Sequence, residues 1–194
     1  PTTVDTTKYN DVCGGGASGP LRVGWIGTPA TQMYLEDLLP VLDNVAKSGG
    51  LEVVAVGARD NDAFRERGYI RVVEWTPATE KNLGAIFDVG IMPLRDGVFE
   101  RGKCGFKILQ YNACGLPAVA SPVGANNEIV RHGITGVLAS TPKEWADALL
   151  WCMDDRARLQ KMGKSAREHV VEKYDRTRAV EQWADVLLRW GAHS

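Results

Sequence analysis

Between residues 101 and 130 the sequence reads RGKCGFKILQYNACGLPAVASPVGANNEIV, with an arginine, two lysines, a glycine, a helix-forming run and a Gly-x-Pro break in close succession. These residue types in this order suit an anionic ligand that carries a sugar. The N-terminus of a helix presents amides without intrahelical acceptors and a partial positive charge, and phosphates bind there. Arg101, Lys103 and Gly105 fall where such a helix begins, with its start expected near Cys104 and Phe106 in its first turn. Positions 103, 107 and 110 then share one face by the i, i+4 and i, i+3 relation, which turns Lys103, Lys107 and Gln110 toward one ligand. The chemistry this permits is stabilisation of a diphosphate by cations and helix amides, with a neutral carboxamide for hydroxyl groups.

To hold those residues the chain must supply a scaffold, and its apolar pattern describes one. Six runs read as strands: LRVGWIG (21–27), LEVVAVG (51–57), YIRVVEW (69–75), DVGIMPL (88–94), PAVAS (117–121) and TGVLA (135–139). Between them apolar residues recur at helical spacing, over 31–47 and around 79–86, as parallel α/β units require. Three more helical segments begin near Pro142, Arg156 and Asp175, the last bearing Trp183, Val186, Leu187 and Trp190. The expectation is a doubly wound, Rossmann-like parallel sheet of six strands with helices on both faces. In the usual strand order of such sheets, the first and fourth strands meet at the switch point where ligands bind. Their ends, Gly27-Thr28 and Pro93-Leu94, therefore open onto the same crevice as the basic helix start.

Composition narrows the possible functions. The 194 residues are 44% hydrophobic, enough for one domain with a real core, and the formal net charge of -1 gives no basic surplus for nucleic acid. Cys13, Cys104, Cys114 and Cys152 are widely spaced, and with only three histidines they suggest neither a disulfide framework nor a metal site. They read as reduced thiols. No apolar run is long enough to cross a bilayer and PTTVDTTKYNDV has no signal-peptide pattern, so the expected location is cytoplasmic. Residues 1–20, ending in CGGGASGP, read as a flexible linker, with the domain spanning 21–194. Gly14 to Gly16 lack the G-K-[ST] of a phosphate loop. The chain opens on Pro1, and a portion of something longer is expected.

Taken together, PTTVD at 1–5, VGWIGT, FDVGIMPL and FKILQYNACGLPAVAS resemble the C-terminal, donor-binding domain of GT-B retaining glycosyltransferases of family 4, the glycosyl transferases group 1. The resemblance covers nearly the whole chain. Its hallmark pair of glutamates would fall at Gly102 and Gln110, where neither carboxylate is present, whereas a subset with a K-x-x-[EQ]-Y helix matches Lys107, Gln110 and Tyr111. The resemblance implies a nucleotide diphosphate sugar, with UDP or GDP, as donor, transfer with retention, and no required metal or other cofactor. Lys107 becomes the catalytic cation, with Lys103 and Arg101 as further diphosphate ligands. It also implies an acceptor glycan or lipid-linked sugar, held by an N-terminal domain, in polysaccharide, lipopolysaccharide or related synthesis. Peripheral association with the inner membrane face belongs to that longer protein. The C-terminal helix would dock on the other domain or pair with a second copy.

Further positions carry two readings each. Gly27 lets the first loop approach phosphates or makes a simple strand-end turn, and Thr28 follows it. Arg59 reaches the diphosphate or ribose, or pairs with Asp60 or Asp62. Trp75 stacks on a nucleobase, where this family places such contacts, or fills the core. Asn126 reads as an N-cap for a helix toward Arg131, and His132 as a helix-end charge. No nucleophile and base pair stands out among His132, His169 and His193. Two other functions remain open: a dinucleotide-dependent oxidoreductase domain, against which Pro29 and the lack of an acidic ribose ligand argue, and a catalytically inactive nucleotide-binding or interaction domain.

Overall fold

Each apolar run of the sequence becomes a parallel strand in the computed structural model, which describes residues 2–11 and 19–191. Along the chain come β1 (Leu21–Ile26), α1 (Met33–Ala46), β2 (Leu51–Val56), α2 (Asp62–Arg65), β3 (Ile70–Val73), α3 (Pro77–Lys81), α4 (Leu83–Ile86) and β4 (Val89–Met92). There follow α5 (Val98–Arg101), α6 (Phe106–Ala113), β5 (Ala118–Ala120), α7 (Asn126–Ile129) and β6 (Gly136–Leu138). The chain closes with α8 (Pro142–Asp154), α9 (Arg156–Lys173) and α10 (Arg176–Gly191). The sheet runs β3-β2-β1-β4-β5-β6, so β1 lies between β2 and β4, with Val23 beside both Val53 and Val89. That adjacency is the switch point the sequence pattern requires.

Strands buried on both faces explain why their sequences are continuous apolar runs. Val23, Trp25, Val53, Ala55 and Ile91 point into a core completed by α1, α2 and α8, with α1 packed on α8. Ile26, Val54, Val56 and Met92 point the other way, toward α4, α6 and α9. Local signals set some boundaries sharply. Thr141 accepts from the amide of Glu144, whose carboxylate in turn accepts from Thr141, and Pro142 opens the helix. On α10, Trp183, Val186 and Leu187 remain exposed. Among the described residues no helix is long and apolar enough to cross a membrane.

The tether expected over residues 1–20 is corrected for its first part. Val4 and Tyr9 are buried in the second core, the amide of Val4 donates to Tyr174 at 2.9 Å, and Thr6 donates its hydroxyl to Asp175 at 2.5 Å. Composition could not reveal this, because the partners lie about 170 residues further along the chain. Residues 12–18, with Cys13 and Gly14 to Gly16, lie outside the described residues, as does His193. Cys114 and Cys152 are buried free thiols, and Cys104 is free and exposed.

Candidate functional site

The crevice is built from the loops that leave β1 and β4. After β1, Gly27 and Thr28 lead into a 3-10 turn, Pro29–Thr31, in which the amide of Thr28 donates to the Thr31 hydroxyl at 3.2 Å. A side chain at Gly27 would collide with the indole of Trp25, 2.2 Å away, so this glycine makes room for a tryptophan in the floor of the site. That packing accounts for the glycine without any ligand. Thr28 is exposed at the rim.

After β4 the chain makes a single-turn helix that sequence spacing does not reveal, and α6 begins only at Phe106. Gly105 caps it with φ 69°, and no side chain covers its first amides. Arg101 therefore sits in the last turn of α5 instead of at the entrance of α6. It forms a two-pronged ion pair with Asp96 at 2.7 and 3.1 Å on the surface. Lys103 is likewise in the connecting loop, off the helical face it was expected to share with Lys107. Its ammonium lies 4.6 Å from the ring centre of Phe99 and 5.3 Å from that of Tyr34. Tyr34 is in turn fixed by donating to Glu100 at 2.6 Å, and burial with that bond pushes its pKa up to about 12.

Lys107 is the centre of the arrangement. Its ammonium lies 5.1 Å from the ring centre of Trp25, and among the described residues no carboxylate comes within 4.0 Å. Burial, with repulsion from Lys103 second, lowers its pKa to about 8. A half-buried cation facing aromatic carbon beside an open helix N-terminus leaves a strong demand for an anion. Phe106, in the first turn of α6, is exposed next to it.

Gln110 departs from expectation. Only 5% exposed, it donates its amide to the hydroxyl of Tyr9 at 3.3 Å. Tyr9 donates in turn to Glu80 at 3.0 Å, and the other oxygen of Glu80 accepts from the indole N–H of Trp75 at 2.8 Å. Trp75 itself is 46% exposed, which removes the core reading. It stands at the same edge of the sheet as the first loop: a side chain on Gly57 would meet the carbonyl of Gly27 and the Cβ of Trp75. Arg59 pairs with neither Asp60 nor Asp62, both of which are taken by Arg65. Its backbone amide is held by Gln32 at 2.7 Å, and the residue lines a hollow of about 500 Å³ with Pro29 and Met33.

Two structural readings also change. Asn126 is the first residue of α7 and not its cap, and it donates to the carbonyl of Ser121 at 2.9 Å. His132 accepts the amide of Leu138 on Nδ1 at 3.1 Å, so it fastens β6. Sequence reasoning missed Trp25, Tyr34, Phe99, Tyr9 and Glu80. Trp25 reads as one more apolar strand residue, and Tyr9 sits in a polar segment; neither carries a local signal.

The sheet order, the helices on both faces and the open α6 at the switch point define a Rossmann-like half of a GT-B glycosyltransferase fold. A family model, glycosyl transferases group 1, matches residues 20–155, and the chain belongs to that family. Membership sets aside the oxidoreductase alternative. A D-inositol 3-phosphate glycosyltransferase of Thermobispora bispora is 34% identical over 86 residues, 43% of this chain and 19% of that protein. An N-acetyl-alpha-D-glucosaminyl L-malate synthase of Bacillus anthracis is 30% identical over 89 residues, 45% of this chain and 23% of its own length. Among solved structures, Anabaena Alr3699/HepE in complex with UDP and glucose superimposes with a TM-score of 0.75 at 18% identity, over 95% of this chain and 55% of that one. The chain thus spans about half of that solved protein, and its matches cover about a fifth of the curated relatives.

Proposed function

We propose that this chain is the donor-binding half of a retaining glycosyltransferase that takes a nucleoside diphosphate sugar and serves a glycan or lipid-linked acceptor. The observation that carries the reading is Lys107: a half-buried ammonium without a carboxylate partner, set at the uncapped start of α6 and at the switch point of the sheet. On this reading the bond from the anomeric carbon to the diphosphate oxygen breaks, and the electron pair stays with the diphosphate. Lys107, Lys103 and the first amides of α6 neutralise that developing charge, the kind of preorganised stabilisation worth several kcal/mol. The acceptor oxygen then bonds the anomeric carbon on the face the diphosphate left and passes its proton to the departing diphosphate oxygen. A second, N-terminal half would hold that acceptor, in line with the partial coverage of the relatives. The UDP and glucose named for the Anabaena protein favour UDP as the first nucleotide to try.

The test is a thermal titration of the chain with UDP, GDP, ADP and dTDP, with NADH as control. Ligand at ten times its dissociation constant adds about 1.4 kcal/mol of stability. Stabilisation by one nucleoside diphosphate and not by NADH is the expected result. Equal indifference to all four would remove the donor site from this chain.

A further inference from the structure

The four-residue chain from Gln110 through Tyr9 and Glu80 to Trp75 has no role in holding a diphosphate, yet it runs along the same crevice. Its start, Gln110, lies one turn beyond Lys107 on α6, and its end, Trp75, stands against Gly57, which also borders the carbonyl of Gly27 in the first loop. The chain therefore links the helix of Lys107 to the mouth of the first loop. Trp75 offers an exposed indole face of nucleobase size.

Glu80 is the unusual member. It is partly exposed, both of its oxygens accept from neutral donors, and among the described residues no Lys, Arg or His lies within 4.0 Å of it. A carboxylate needed only to neutralise a cation would have one, and a carboxylate needed only to fix an indole would use a single oxygen. Each oxygen retains a second acceptor site. Two such sites side by side, held rigid from behind by Tyr9 and Trp75, match the paired O–H donors of a vicinal diol. Gln110 is only 5% exposed, so it is poorly placed to accept those hydroxyls itself.

We infer that Glu80 is a specificity-determining residue that accepts the 2′- and 3′-hydroxyls of the donor's ribose, with Tyr9 as its positioning residue. The inference rests on the donor-site reading above. It concerns a residue on α3, outside the helix start proposed to hold the phosphates.

The experiment compares UDP, 2′-deoxy-UDP and inorganic pyrophosphate on the wild-type chain, on Glu80→Gln and on Tyr9→Phe, by calorimetric titration. Wild type is expected to prefer UDP over the deoxy form by about tenfold, the scale of a hydrogen bond to a charged group. Glu80→Gln should abolish that preference while leaving pyrophosphate affinity unchanged, and Tyr9→Phe should reduce it in part. A merely structural Glu80 would lower all three affinities together. If Glu80→Gln keeps the full ribose preference, the inference falls while the donor site stands. If wild type binds no nucleoside diphosphate, both fall.

Discussion

Lys107 holds a proton in surroundings that disfavour it, and the cost has a readable sign. Burial, then Lys103, set its folded pKa near 8, whereas a lysine in the unfolded chain titrates near 10.4. Between those values the unfolded chain binds more protons, so this residue makes stability rise as pH climbs from about 8 to about 10. Below pH 8 both states are charged and the folded state bears the full penalty. Lys107→Met should therefore stabilise the ligand-free chain by about 1 to 3 kcal/mol at pH 7, at about 1.4 kcal/mol per pKa unit with a discount for partial exposure. The same variant should lose nucleoside diphosphate binding. In wild type, affinity should drop about tenfold from pH 7 to pH 9, as the ammonium neutralises. Denaturant unfolding and a binding titration at the two pH values check both. A variant no more stable than wild type, and equal to it in affinity, would leave Lys107 an ordinary surface cation. The place of Lys107 in the first turn of α6 was legible because lysine spacing and the Gly-x-Pro break are local. The surroundings of Arg101 and Gln110 were not legible, because their partners, Asp96 and Tyr9, decide where they point, and Tyr9 is 101 positions from Gln110.

At the scale of elements, all six strands fall within the apolar runs that announce them, trimmed by one to three residues at the ends. Strand cores are legible because burial on both faces writes itself into composition. The helices between β4 and β5 are less so: α5 is four residues long, too short for any period to show, and its presence pushes the start of α6 from Cys104 to Phe106. What fixes that start is Gly105. Its backbone is left-handed, and an added Cβ would lie 2.4 Å from the Ile129 side chain and 3.3 Å from the Asn126 carboxamide. Gly133 has a similar backbone, φ 76°, with nothing within 4 Å of the same position. Gly133→Ala should thus cost about 1 kcal/mol, the conformational part alone. Gly105→Ala adds overpacking against α7 and should cost about 2 to 4 kcal/mol, with weaker binding at the displaced α6 N-terminus. Chemical denaturation of the two variants measures the difference. Equal losses would mean that α7 yields easily and does not set the position of α6.

Across the whole molecule, the least legible feature is the grip of the first residues on the last helices. Val4 donates to the carbonyl of Tyr174 and accepts from the amide of Arg176, each at 2.9 Å, so it bridges the junction of α9 and α10. Thr6 donates to Asp175, whose carboxyl burial would raise but whose bonds from Thr6 and Thr177 hold below the usual range. Tyr9 then reaches past α3 to Gln110 on α6. One strap thus connects the end of the chain to the helix that carries Lys107. A flexible tether would be dispensable. Removal of residues 1–10 instead exposes the pockets of Val4 and Tyr9, each worth about 1.5 to 3 kcal/mol of apolar burial. The net loss should be about 3 to 5 kcal/mol, or roughly 10 °C in melting temperature for a domain of this size. The protease sensitivity of α10 should rise as well, because the amide of Arg176 loses its acceptor in Val4. Calorimetry and limited trypsin digestion of the shortened chain make the comparison. A melting temperature within about 2 °C of the intact chain, well inside the shift expected from such burial, would return these residues to the status of a tether and remove the connection between the chain's end and the helix of Lys107.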